Sequence, residues 1–145
     1  MRGLVQRVSE ASVEVEGEVV GRIGRGLCVL VGVSVADDER SADRLADKIW
    51  QLRIFPDGTG NMNCSAAQLG LEILVVSQFT LYADVSRGRR PSFVQAAEPT
   101  RASVLVERFV DGLRSAGANV ATGRFGASMQ VRLVNDGPVT VMVET

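Results

Sequence analysis

The chain of 145 residues contains no histidine. That absence excludes a Ser/His/Asp or Cys/His catalytic arrangement, a histidine general base and any histidine-ligated metal. Lys48 is the single lysine among sixteen cationic residues. A Schiff-base or lysine-base mechanism therefore has one candidate, and its place in a helical pattern marks it as a solvated surface charge. Cysteine is sparse too. Cys28 lies in an apolar run and Cys64 in a polar loop, with no CxxC spacing, so two free thiols are expected rather than a disulfide, a redox pair or a metal site. No segment approaches the ~18 uninterrupted apolar residues of a membrane helix, and the start, Met1 to Arg7, has no apolar run behind its basic residues, so a cytoplasmic location is expected.

What is present describes an ordinary folded domain. The hydrophobic fraction is 46%, the charged fraction 23% and the net charge -1, which leaves no room for a disordered or fibrous chain. A chain of this length buries roughly 68–70% of its unfolded surface. One domain over residues 1–145 with a conventional core is expected, without internal repeats or linkers.

Alternating or continuous apolar runs place strands at Leu4–Val8, Ala11–Val15 and around Val19-Val20, the last two joined by a turn at Glu16-Gly17-Glu18, as a short antiparallel meander. Leu27–Val33 reads as a central strand. Asp37-Asp38 offers an N-cap to a helix carrying Ala42, Leu45, Ala46, Ile49 and Leu52 at helical spacing, up to about Arg53. Phe55–Asn61 is dense in turn formers and reads as an exposed loop. Leu71–Phe79 is a second apolar strand. Pro99, then Ala102, Leu105, Val106, Phe109, Val110 and Leu113, with Gly117 beyond, mark a second amphipathic helix. Val120–Thr122, Met129–Val134 and Val139–Val143 complete the strands.

Three segments invite a chemical reading. Asn135-Asp136-Gly137-Pro138-Val139-Thr140 lies between two strand runs and reads as their connection. An ordinary turn accounts for it, but Gly before Pro also presents two carbonyls where a side chain blocks the way. Ser77-Gln78-Phe79-Thr80-Leu81 puts polar residues at the mouth of a buried strand, a common place for a site and also what a strand leaving the core looks like. Arg87-Gly88-Arg89-Arg90-Pro91 is the clearest local concentration of positive charge, either a solvated surface or a phosphate contact, with Arg124 as a possible addition.

The first two of these segments, together with Gln6-Arg7-Val8, Leu52-Arg53-Ile54-Phe55, Gly88-Arg89-Arg90-Pro91-Ser92-Phe93 and Gly123-Arg124-Phe125-Gly126-Ala127, resemble the bacterial D-aminoacyl-tRNA deacylases over the whole chain. The resemblance implies an α+β single domain, mainly antiparallel strands forming a barrel-like sheet core with two amphipathic helices. It implies a hydrolase that frees D-amino acids from the 3'-terminal adenosine of tRNA, without metal or cofactor, and that also removes glycine misattached to alanine tRNA. By the same likeness the protein is a homodimer in which Gly137-Pro138, a cis pair, enters the partner's pocket and rejects L-amino acids. Arg7 steadies that pair, Phe125 and Met129 belong with the substrate pocket, and Ser77, Gln78, Phe79 and Thr80 line the place of the scissile ester. Arg87, Arg89 and Arg90 are the candidate tRNA contacts.

The composition bears on the chemistry. A threonine hydroxyl is a poor nucleophile without an adjacent base, so hydrolysis is expected to rest on backbone N–H donors near Phe79 and Thr80 and on the ribose hydroxyl beside the ester. Covalent catalysis by Thr80 is the alternative within the same reaction. A non-catalytic dimeric nucleic-acid-binding module is the alternative outside it.

Overall fold

The apolar run after Gly26 forms β3 (Gly26–Gly32), the centre of the sheet in the computed structural model, which describes residues 1–145. All five positions between Gly26 and Gly32 are apolar, and all but Leu30 are buried, the pattern of a strand covered on both faces. It pairs antiparallel with β1 (Arg2–Val15) on one side and parallel with β6 (Glu72–Ser77) on the other, and β6 pairs parallel with β7 (Asn119–Thr122). β2 (Glu18–Ile23) and β8 (Gln130–Glu144) both pair antiparallel with β1. The sheet is thus mixed, with order β2-β1-β3-β6-β7 and β8 on β1. Its two ends curl towards each other: a Cβ placed on Gly21 in β2 would lie 2.7 Å from the Thr122 carbonyl oxygen in β7. Only glycine permits that approach, and it brings the sheet close to a closed barrel.

The parallel pairs require crossovers. Between β3 and β6 the chain forms α1 (Glu39–Trp50), a hairpin of β4 (Arg53–Pro56) and β5 (Met62–Ser65), and a single-turn α2 (Ala66–Leu69). Between β6 and β7 it forms a 3-10 turn (Phe79–Tyr82) and α3 (Pro99–Ser115). Asp38 caps α1, its carboxylate accepting from Ser41 N at 2.9 Å, and Pro99 opens α3 where a missing N–H costs nothing. The apolar stripes of both helices cover one face of the sheet, with Leu45, Ile49, Leu105, Phe109 and Leu113 buried in one cluster. Each such side chain contributes about 1.5–3 kcal/mol. The surface bridges of Arg108 to Asp43 (2.7 Å) and Glu39 (3.1 Å) add at most about 1 kcal/mol each, so the buried stripes hold the helix pair. A second cluster, Val8, Ala11, Val13, Ile23, Cys28, Leu74 and Val76, fills the curled side of the sheet.

Several strand boundaries differ from the sequence reading. Leu4–Val8 and Ala11–Val15 are one strand, β1, and β3 returns to β1 rather than to β2, so the opening is not a meander. The reason is length: residues 2–8 of β1 face β3 and residues 11–15 face β2. Phe55 is not in an exposed loop but is fully buried in β4, and Cys64 stands half-buried in β5; only Asp57–Asn61 turns. The strand from Leu71 stops at Ser77, because the chain then winds into the 3-10 turn. The first helix ends at Trp50, three residues before Arg53.

Both cysteines are free, as read from the sequence. Burial pushes the Cys28 thiol up to about 11, so it carries almost no thiolate near neutral pH. A disulfide reagent applied to the native protein at pH 8 therefore titrates one thiol per chain, Cys64, and the second only after denaturation. Rapid modification of both in the folded protein would contradict this burial.

Candidate active site

Asn135–Thr140 is not a connection between neighbouring strands. Both halves of β8 pair with the same strand: Thr140 stands opposite Gln6 and Asn135 opposite Val8, so the five-residue advance on β8 spans only two on β1. The surplus residues leave the sheet as a protrusion that carries the cis Gly137-Pro138 bond. Asn135 closes its base, accepting from Val139 N at 2.9 Å and donating to Thr140 Oγ1 at 2.9 Å. Arg7 fixes its flank: Nε donates to the Asp136 carbonyl at 3.0 Å, while Nη1 bonds the Ile54 carbonyl at 2.6 Å. The Asp136 carboxylate lies 3.4 Å from the same Nε. Arg7 is therefore a nearly buried cation that joins two backbone carbonyls, not a charge at the strand edge. Gly137 has φ of 135°, and a Cβ there would sit 2.8 Å from Val139 Cγ2 and 3.0 Å from Arg7 Nη2.

A cavity of about 580 Å³ opens elsewhere, at the carboxyl end of β3 and β6. Ser77 and Gln78 form one wall, where β6 passes into the 3-10 turn. Gln78 N donates to Val31 O at 2.7 Å, which ties the start of the turn to β3. The hydrogen bonds of the turn begin with Leu81 N to Gln78 O at 3.3 Å. The N–H groups of Phe79 and Thr80 come before that first bond, as unpaired donors do at any helical start. Thr80 itself is exposed and next to the lining, its hydroxyl accepting from Gln78 Nε2. Phe125, Gly126, Ala127 and Met129 close the opposite side.

The structure thus brings Ser77, Gln78, Phe79, Phe125 and Met129 to one cavity, with Thr80 at its edge. Arg7, Gly137 and Pro138 form a separate group and do not line the cavity of their own chain. Arg87, Arg89 and Arg90 stand exposed in a loop whose ends are tied by Asp84 N to Ser92 O (2.8 Å) and Ser92 N to Asp84 O (2.9 Å). The Ser86 N–H and hydroxyl hold the Asp84 carboxyl below its ordinary range.

Other lining residues escaped the sequence reading. Ala102 and Val106 on α3 carry the helical period of core residues and gave no separate signal. Phe93 is half-exposed and meets Phe79 edge-on, with ring centroids 5.0 Å apart; a phenylalanine in a polar, arginine-rich loop was the available sign. Glu98, before α3, makes no capping bond and is the one ionisable side chain on the lining. With thirteen of eighteen lining residues hydrophobic, the cavity suits a flat, mostly apolar group held by a few polar contacts.

Residues 4–144 match the family model described as D-Tyr-tRNA(Tyr) deacylase. Proteins named D-aminoacyl-tRNA deacylase from Roseiflexus castenholzii and Brevibacillus brevis are 57% and 56% identical to this chain over all of it, which covers 92% and 100% of theirs. A solved structure titled c-Myc DNA Unwinding Element Binding Protein is 41% identical, with a TM-score of 0.95, covering 100% of this chain and 99% of that one. Another, of a probable eukaryotic D-amino acid tRNA deacylase, shares the fold at 20% identity and a TM-score of 0.87, over 99% and 98% of the two chains. By full-length identity above one half and by the family match, the chain belongs to the D-aminoacyl-tRNA deacylases, hydrolases that act on aminoacyl-tRNA.

Proposed function

We propose that the protein works as a homodimer in which the Gly137-Pro138 protrusion of each chain closes the cavity of the other and sets the chirality of the amino acid released from tRNA. The observation that carries this reading is the protrusion itself, which is braced by Arg7 and Asn135 yet exposed and away from its own cavity. A rigid element that serves no site in its own chain fits a site in another. β8 supports the same reading. It pairs only with β1, and Val131, Leu133, Val139, Val141 and Val143 along it are only half covered, which suits an edge awaiting a second copy.

In this arrangement the terminal adenosine enters the apolar cavity between Phe125, Met129 and the start of α3, and the ester lies against Ser77–Thr80. Backbone carbonyls of the partner's Gly137 and the partner's Pro138 face the α-carbon. An L side chain meets them, whereas a D side chain points away. The Phe79 and Thr80 N–H groups receive the oxyanion, and the ribose hydroxyl beside the ester orients the attacking water. Glycine, with no side chain to reject, passes the same filter, so glycine misattached to alanine tRNA is a second substrate. The reaction places the protein in the cytoplasm, where charged tRNA is used; separately, no helix is long and apolar enough to cross a membrane.

The test is release of free amino acid from matched D- and L-aminoacyl-tRNA by the purified protein. D-Aminoacyl-tRNA is hydrolysed at least about 100-fold faster, the discrimination that loss of a well-positioned contact typically governs; equal rates would end the chirality claim. The 41% identical structure whose title names DNA binding favours a second reading, a nucleic-acid-binding module. Tight binding of RNA or DNA with no amino acid released from any charged tRNA would select it.

A further inference from the structure

Phe79 and Phe93 meet edge-on at the rim of the cavity, and their exposure, 56% and 38%, is high for packed aromatics. Half of one ring pair therefore faces solvent beside the place assigned to the terminal nucleoside. The segment that carries Phe93 also carries Arg87, Arg89 and Arg90, none of which makes an ion pair. The Asp84–Ser92 bridge closes this arginine loop immediately before Phe93, so the cations and the ring are held in one unit. Val94, next in the chain, is 84% exposed, which extends the apolar surface outwards from the cavity.

Unpaired arginines next to an exposed aromatic face are the two components of a single-strand platform: cations follow the phosphates and rings stack on bases. A duplex offers no open base face, so a paired stem does not use the rings. We infer that the Phe79–Phe93 pair and the Arg87–Arg90 loop form a platform for the unpaired cytidines preceding the terminal adenosine of tRNA. Phe93 takes the face of the adjacent base, and the arginines take the intervening phosphates. This rests on the adenosine occupying the cavity as proposed above. Recognition then extends along the single strand common to all tRNAs and reads no stem sequence, as a deacylase of many tRNAs requires.

The experiment compares two ester substrates of the same D-amino acid, one carried on adenosine alone and one on the trinucleotide cytidyl-cytidyl-adenosine. The wild-type protein favours the trinucleotide in kcat/KM, and Phe93→Leu, which keeps apolar bulk but loses the stacking face, reduces that ratio by about 5-fold or more. Stacking on an aromatic ring is worth on the order of 5- to 100-fold per base. Arg89→Gln reduces the same ratio and weakens its salt dependence, as loss of a phosphate contact does. A ratio unchanged in both variants overturns the platform, as does a wild-type protein indifferent to the added cytidines. A protein that hydrolyses neither ester removes the proposed function instead. Affinity for the uncharged trinucleotide, measured on wild type and Phe93→Leu, then decides the platform by the same fold-change.

Discussion

Replacing Gly137 with alanine lowers the ratio of D- to L-aminoacyl-tRNA hydrolysis by about 100-fold, in line with the cost of moving a positioned group by roughly 1 Å. The added methyl has nowhere to go. It would lie 2.8 Å from Val139 Cγ2 and 3.0 Å from both Val139 N and Arg7 Nη2, at a φ of 135° that L residues rarely adopt. Arg7 cannot yield freely, because its donors hold the Asp136 and Ile54 carbonyls. The protrusion must move, and with it the carbonyls assigned to the filter. Gly17→Ala is the matched control, since Gly17 has φ of 83° but nothing within 4 Å of its missing Cβ. That variant carries backbone strain without the collision and keeps the D/L ratio. A Gly137→Ala protein with wild-type discrimination and an unchanged melting temperature would remove the filter role.

The second large effect lies in the substrate. D-Aminoacyl-tRNA ending in 2'-deoxyadenosine, charged on its remaining hydroxyl, is hydrolysed about 100-fold more slowly than the ribose form, because a positioned proton-transfer group contributes on the order of 10²- to 10⁴-fold. Thr80→Val in turn keeps kcat within about 10-fold of wild type. The hydroxyl that valine lacks accepts a hydrogen bond from Gln78 Nε2, and a chain without histidine gives it no imidazole base. Its N–H, assigned above to the oxyanion, remains in the variant. The opposite pair of results, full rate on the deoxy substrate and none in Thr80→Val, identifies a covalent route through Thr80. Single-turnover rates measure both without interference from product release.

The helices were legible because they fold by local rules. Asp38 and Pro99 mark their starts, and one apolar stripe each marks the face that meets the sheet. β3 was legible for the same reason, as an uninterrupted apolar run. The long strands β1 and β8 were not. Asn135–Thr140 has turn chemistry, and nothing local says that the chain resumes pairing with the same neighbour afterwards. Arg7 had no signal of its own, since its partners lie 47 and 129 residues away. The apolar cavity wall on α3 could not be told from core by period, because both obey the same spacing. Phe55 was misplaced by the turn formers that follow it, although a hairpin flank can bury its aromatic residue while its tip stays wet.

The protrusion has a bearing on how such a device enters a sheet. On β8 Val131 and Leu133, before it, pack against the cluster of Val8, Ala11 and Val13, whereas Val139, Val141 and Val143, after it, pack against the cluster beneath the helices. Those clusters lie on opposite faces of the sheet, since Cys28 belongs to one and its neighbours Leu27 and Val29 to the other. Five residues of β8 against two of β1 leave a surplus of three, and an odd surplus turns every later side chain of the strand to the other face. The protrusion is therefore also the point where β8 changes sides. Its tip can vary in sequence, but only an even change in its length keeps Val139, Val141 and Val143 beneath the helices.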